Sequence, residues 1–434
     1  MPMKKEYLMR AAVLLLTVVL WAGMLSAAAG EAAYAVLDGA TLTEDVIADE
    51  AEDITAECAF SFSNRKQTAA YTKRLTDGKY DTRWRQQDSG QGWLTMRTEN
   101  ADRPIASLYI CFDTIPPEWE VQIQEGEDWT TVHTGDDAFY HVYVPLETPT
   151  VAVRVLSVKP RTKMQIAEIR AYAPGAIPSA AQVWEPPVED AEILFLATHA
   201  DDELIFFGGG IPTYATEKKK AVTVAYLANC GPRRRHELLN GLWSMGVRNH
   251  PVISNFPDKH EKTFTAEYKA MGGKNRVMRW VVSLYRRFRP EVVVTHDPKG
   301  EYGHVQHRVC AAIAEEAYDQ AADPAFDPES AEAYGPWQVQ KLYLHLGKEN
   351  RIEMDWSVPL SSLGGITGLE AAVRAFTYHV SQQEYSMNVT KTGKQYDNRI
   401  FGLARTEVGV DTVGGDFLEN IPPKAENGKE GNVQ

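Results

Sequence analysis

Cysteine is scarce in this 434-residue chain: Cys58, Cys111, Cys230 and Cys310 are the four, and no two stand at C-x-x-C spacing. That excludes a zinc knuckle and a dithiol redox motif. A Cys58 to Cys111 bridge is one option for an exported chain and buried free thiols are the other. Positive charge is also short, with 45 Lys and Arg against 59 Asp and Glu and a formal net charge of -14. Nucleic acid and anionic membrane surfaces are bound through basic faces, so no nucleic-acid partner is expected, and small or neutral ligands fit better. No G-x-S-x-G elbow is present, no P-loop or G-x-G-x-x-G follows an apolar strand, and no repeat of fixed period occurs. A covalent serine mechanism and a dinucleotide fingerprint therefore have no support.

With 44% hydrophobic residues, the chain is long enough for two or three domains with their own cores. Lys4, Lys5 and Arg10 precede an uncharged, mostly apolar stretch from Ala11 to Gly30, an export signal. It reads as a cleaved signal peptide, with small residues at 26–29 or the "AYA" ending at Ala35 as cleavage sites, or as a signal anchor long enough to span a bilayer. No cysteine follows it, which excludes a lipid anchor there. Membrane association is expected only if the signal stays uncleaved; either way residues 1–35 place the bulk of the chain at the cell surface or secreted.

Acidic residues 36–57 read as a spacer. From 58 to 174, runs such as "SLYICFD", "WEVQIQE" and "VAVRVLSV" are split by turn residues, which predicts an antiparallel β-sandwich. Residues 175–190 contain prolines and read as a linker. From 191 to 418, strands alternate with helices: "AEILFLATH", "AVTVAYLAN" and "EVVVTH" are strands, "ELIFFGGGIPTYATEKK" has the length of a helical crossover, and "RRHELLNGLWSMG" and "NRVMRWVVSLYRRFR" are amphipathic helices. This is an α/β domain of three layers, Rossmann-like, with a mostly parallel sheet. Residues 419–434 form a polar tail expected to be disordered.

Chemistry collects behind two of the strands. "ATHADDELIFFGGG" (197–210) places His199, Asp201, Asp202 and Glu203 on a strand-to-helix turn. Ligands bind at the carboxyl ends of such strands. Two adjacent carboxylates repel unless something positive neutralises them, and a cation does this more fully than a helix end. Read alone, Asp201 or Asp202 is equally well a helix cap and His199 a core residue. "VVVTHDPKGEYGHVQHRVC" (292–310) shifts that balance, because His304 and His307 stand three apart at a helix start and share a face. Imidazole plus carboxylate suits zinc held by three protein ligands, with groups left over for proton transfer.

"THADDE" followed about a hundred residues later by "GEYGHVQH" resembles the PIG-L, or LmbE-like, N-acetylglucosaminyl deacetylase family. "RRRHELLNGLWSMGV" and the "HVSQQ" segment at 379–383 are similar to further family segments, and the resemblance covers about 190–405. It implies a Zn2+ site of His199, Asp202 and His307, with Asp201 as general base toward water. It also implies that His304 stabilises the oxyanion and helps protonate the departing amine, and that Tyr302 is a second oxyanion donor. Ala200 replaces the family's proline, so a looser turn with retained metal binding is expected. Arg233, Arg234 and Arg235 reach a sugar or phosphate, or form a solvated face; Glu203 holds the loop, and His379 receives no role. "LTDGKYDTRW" (75–84) and "IAEIRAYAPG" (166–175) resemble discoidin-like, F5/8 type C or family 32 carbohydrate-binding modules, in which Trp84 or Trp93 stacks on a sugar or lies in the core.

The resemblance implies an exported metal-dependent hydrolase acting on a linear amide, the acetamide of an N-acetylated amino sugar in a glycan or glycoconjugate, with the sandwich binding polysaccharide. An amidase for another acylated small molecule and a catalytically inactive glycan-binding surface protein are the alternatives.

Overall fold

The computed structural model describes residues 49–424 apart from 65, 68, 87–89, 136–138 and 390–394. The export signal, most of the acidic spacer and residues 425–434 of the expected tail lie outside the described residues.

Two antiparallel sheets make the sandwich. Strands β1 (Cys58–Phe62), β3 (Trp93–Thr98), β5 (Trp119–Glu125), β6 (Asp128–Gly135) and β8 (Ala152–Ser157) pair in the order β1-β3-β8-β5-β6. Strands β2 (Trp84–Arg85), β4 (Ile105–Thr114), β7 (His141–Thr150) and β9 (Gln165–Tyr172) pair in the order β2-β9-β4-β7. The period-2 pattern explains the core: Trp119, Val121 and Ile123 of "WEVQIQE" point inward while the residues between them stay half-exposed. Trp84 is a core residue whose Nε1 donates to Gln67 Oε1 at 2.8 Å, and Trp93 is half-buried. Strand β4 departs from simple alternation because both its faces are covered. Leu108, Ile110 and Phe112 enter the sandwich core, and Tyr109, Cys111 and Asp113 are buried on the opposite side.

The expected spacer and linker are both packed where they are described. Ile54 is fully buried and its N–H donates to Ala171 O at 2.9 Å, so the acidic stretch joins the edge of β9 through its few apolar residues. Ala181, Gln182 and Trp184 of the expected linker are buried as well. All four thiols are unpaired, Cys111 and Cys310 being buried.

The second sheet contains β10 (Ile193–Ala197), β11 (Val222–Tyr226), β12 (Val252–Ile253), β13 (Val292–Thr295), β14 (Lys341–His345), β15 (Arg351–Glu353) and β16 (Ile400–Thr406). Their order is β12-β11-β10-β13-β14-β16-β15, parallel from β12 to β14 with β16 antiparallel to β14. Continuous apolar runs such as "ILFLA" and "VTVAY" are buried on both faces, as a sheet covered on both sides requires. Phe195 and Ala197 pack with Leu238, Leu239 and Leu242 in one layer, while Leu194 and Leu196 pack with Val281, Tyr285 and Val309 in the other. The helices labelled below include α1 (Ala69–Leu75), α2 (Asp202–Ile205) and α3 (Pro232–Ser244). After them come α4 (Phe264–Ala270), α5 (Lys274–Phe288), α6 (Val305–Gln320), α7 (Pro328–Tyr334) and α8 (Gly368–Phe376).

The crossover after β10 is not one helix. Helix α2 stops after a single turn, and the chain re-forms a helical segment only over residues 210–217. Gly208 explains the break: it has φ +54, and a Cβ there would meet the side chain of Asn398 at 2.7 Å. Strand order reverses between β10 and β13, so the turns leaving those two strands face each other across the crevice where such sheets bind ligands.

Candidate metal and catalytic site

The two turns converge. His199 Nδ1, Asp202 Oδ2 and His307 Nε2 are mutually separated by 3.1, 3.0 and 3.2 Å. Tetrahedral ligation at 2.0–2.1 Å places donor atoms about 3.3 Å apart, so the three atoms stand close to the spacing a small divalent ion imposes. All three residues are buried.

The second nitrogen of each imidazole is held by an acceptor. Gln306 Oε1 lies 2.9 Å from His199 Nε2, and the amide is oriented by its Nε2 donating to Pro257 O at 3.0 Å. Glu301 Oε2 lies 2.8 Å from His307 Nδ1. Each acceptor keeps the ring proton on the far nitrogen and turns the lone pair of the near one toward the shared centre. Glu301 is itself positioned by the Asp297 N–H at 3.0 Å and by His345 Nδ1 at 3.0 Å. His296 is also near Asp202, but its Nε2 accepts from the Thr198 N–H at 2.9 Å, which occupies the lone pair a ligand would need. The donor set thus fits a metal through His199, Asp202 and His307.

Backbone conformation puts Asp201 beside this centre. It has φ +109, a strained value for a residue with a side chain, and its N–H donates to Glu203 Oε2 at 3.0 Å. The His199 N–H donates to Asp202 Oδ2 at 2.7 Å. These two bonds close the turn on either side of Ala200. Arg234 Nη2 pairs with Asp201 Oδ1 at 3.1 Å, and Arg234 Nη1 reaches Asp258 Oδ2 at 3.4 Å. Burial pushes the Asp201 carboxyl up to about 7, against the pull of Arg234 and with the push of Asp202. Glu203, buried and next to Asp201, is raised to about 8.

His304 caps α6. Its Nδ1 accepts from the Gln306 N–H at 3.2 Å, so the ring proton lies on Nε2, 3.0 Å from His260 Nδ1. Burial, and then the neighbouring His307 and His199, lower its pKa to about 3, which keeps the ring neutral. Tyr302 is 48% exposed, with its ring centre 5.7 Å from that of His304. Its loop bends through Gly300 at φ +73, where a Cβ would fall 2.3 Å from His304 O.

These groups share a cavity of about 580 Å³ lined by His199, Asp201, Asp202, Tyr302 and His304, together with Arg234, Asp258, His260, Gln382, Tyr385 and Met387. Every sequence-predicted site residue is therefore gathered in one place. Of the arginines, Arg234 enters the cavity, Arg233 pairs with Glu237 at 3.1 Å, and Arg235 turns to the sandwich. His379 lies behind the turn, its Nε2 3.8 Å from Glu203 Oε1. Sequence reading missed the supporting roles of Glu301 and Gln306, although both stand inside the quoted motif. It also missed Asp258 and His260, whose only signal was their place after the short strand β12.

A 1D-myo-inositol 2-acetamido-2-deoxy-alpha-D-glucopyranoside deacetylase of Streptomyces avermitilis is 29% identical over 187 residues, covering 36% of this chain and 60% of that protein. A Saccharopolyspora erythraea protein of the same description is 31% identical over 176 residues, covering 35% of this chain and 63% of that protein. The chain thus spans about three fifths of the length of these curated relatives. Among solved structures, N,N'-diacetylchitobiose deacetylase from Pyrococcus horikoshii aligns at 18% identity over 46% of this chain and 74% of its own, with a TM-score of 0.35. An F5/8 type C domain from Bacteroides fragilis aligns at 19% identity over 30% of this chain and 97% of its own, with a TM-score of 0.24. Residues 194–318, which contain both site turns, match the model of the PIG-L family, GlcNAc-PI de-N-acetylase.

Proposed function

We propose that this protein is an exported, zinc-dependent de-N-acetylase that hydrolyses the acetamide of an N-acetylated amino sugar in a glycan or glycoconjugate. The observation that carries the reading is the convergence of His199, Asp202 and His307 at 3.0–3.2 Å beside Asp201 in an open cavity. His199, Asp202 and His307 hold the ion. When bound, a divalent ion there supplies Lewis acidity, polarising an amide carbonyl and acidifying water.

The chain's own groups supply the rest. Asp201, buried beside the ligands, takes a proton from the attacking water. The Nε2–H of His304 is shared between His260 Nδ1 and the carbonyl oxygen as negative charge develops there, and the Tyr302 hydroxyl is a second donor. As the C–N bond breaks, Asp201 passes the proton it took from water to the departing nitrogen, so that acetate and a free amine leave. Arg234 and Asp258, which line the same cavity, are the groups assigned to sugar hydroxyls in this reading.

The sandwich, taken as 58–174, binds polysaccharide and keeps the catalytic domain, taken as 191–418, near its substrate. Export rests on the sequence of residues 1–35; among the described residues no helix is long and apolar enough to cross a membrane. The test is metal content of the protein lacking residues 1–35, paired with acetate release from N-acetylglucosamine oligomers. Near-stoichiometric zinc with acetate release is expected. Zinc without acetate release would point to another acyl substrate, and glycan binding without metal would point to an inactive binding protein.

A further inference from the structure

Successive residues of an α-helix point about 100° apart, and the first turn of α3 uses this to face two ways. Arg234 enters the cavity and pairs with Asp201 at 3.1 Å. Its neighbours Arg235 and His236 turn to Asp113, at the end of β4 in the sandwich. Arg235 Nη2 donates to Asp113 O at 2.6 Å, and His236 Nε2 lies 3.0 Å from Asp113 Oδ1. The other carboxylate oxygen pairs with Arg83 Nε at 2.7 Å.

The side chains of Asp113 and His236 are both 0% exposed. A carboxylate buried to that degree is stable only while its partners stay in place, so the contact holds both sides together. Further packing closes around it: Tyr80 stacks on His236 with ring centres 4.5 Å apart, and the Arg235 guanidinium lies 4.2 Å from the Tyr140 ring centre. The helix start has no side-chain cap, and among its other ties are Arg235 Nη1 to Asn229 Oδ1 at 3.1 Å and His236 Nδ1 to His141 Nε2 at 2.7 Å. Its cap position is Gly231, which offers no side-chain hydrogen bond, and Pro232 follows.

We propose that Asp113 is a positioning residue for the catalytic site: by holding Arg235 and His236 it fixes the first turn of α3, and with it the guanidinium of Arg234 against Asp201. The sandwich then completes the active site in addition to any glycan binding of its own. The catalytic consequence rests on the de-N-acetylase reading; the structural link does not.

The experiment uses the full chain with Asp113→Asn, which keeps the side-chain shape and removes its charge, and Asp113→Ala. Hydrogen–deuterium exchange is expected to quicken in residues 231–237 of either variant while β10 and β13 exchange as before. Acetate release from N-acetylglucosamine oligomers should fall about tenfold in kcat/KM, as misplacement of a distant support does, with zinc content unchanged. In an Arg234→Ala background, Asp113→Asn should cost nothing more, because the residue it acts through is gone. Unchanged exchange at 231–237, or the same loss in both backgrounds, overturns the proposal. If wild type releases no acetate the de-N-acetylase reading fails, and the exchange measurement still decides the link. Should Asp113→Ala not fold, Asp113→Asn carries the test.

Discussion

Gln306 does its work from the far side of the His199 ring. By accepting from His199 Nε2 at 2.9 Å it decides which nitrogen of that ring faces the ligand centre. Gln306→Ala should therefore weaken zinc binding by about 10- to 100-fold while the fold persists. Titration against a chelating indicator measures this, and an unchanged Kd would show that His199 keeps its tautomer unaided. Asp201 is the complementary case, since it is the proposed general base and adjoins the proposed ligands without being one of them. Asp201→Ala should keep its zinc and lose about 10²- to 10⁴-fold in kcat, the usual worth of a general base. Undiminished turnover in that variant would remove the assignment.

Elements place these residues through features that tolerate little change. The loop from β13 to α6 must return on itself within a few residues to bring Glu301 under His307, and it does so at Gly300. Gly300→Ala meets both a positive φ and a contact of 2.3 Å with His304 O. The expected cost is about 1–3 kcal/mol or more, with lower metal affinity in proportion to the displaced His304 and His307. Thermal unfolding in the presence and absence of zinc would read both effects. On the other side of the crevice, α3 is held to the sheet by Leu238, Leu239 and Leu242, which is why its first turn can be shared between the cavity and the sandwich.

At the scale of the molecule, the sandwich and the α/β sheet meet through buried histidines. His141 Nε2 lies 2.7 Å from His236 Nδ1, and His250 packs against Phe139 and Trp184. Burial lowers the pKa of all three, that of His250 to about 4. The sign follows directly: the folded state resists protonation, so the unfolded state binds more protons below about pH 6.5, and stability falls as pH drops from there toward 4. His250 alone should remove on the order of 2 kcal/mol between neutrality and pH 5. Denaturant unfolding of wild type and His250→Phe across pH 4.5–7.5 checks this, since the variant should show a shallower slope. Parallel slopes would mean that His250 takes up its proton equally in both states.

Much of the site was legible in sequence because apolar strands and the polar residues that follow them are local patterns. "ILFLA" before "THADDE" and "VVVT" before "GEYGHVQH" are enough to place His199, Asp201, Asp202, Tyr302, His304 and His307 at strand ends, and the order of the two motifs carries the family likeness. The alternation of "WEVQIQE" likewise announces a sandwich. Other features have no local signal. Nothing in "FPDKHEK" shows that His260 will stand 3.0 Å from His304, because that distance depends on how β12 pairs at the far edge of the sheet. The acidic spacer and the proline-containing linker looked polar enough to be loose, yet Ile54 and Trp184 are buried by surfaces supplied from distant parts of the chain. Sequence by itself determined which residue types stand at the strand ends, since side-chain period and strand length are local; tertiary structure alone decided which nitrogen His199 presents and that Asp113 meets His236, since both depend on groups more than a hundred residues apart.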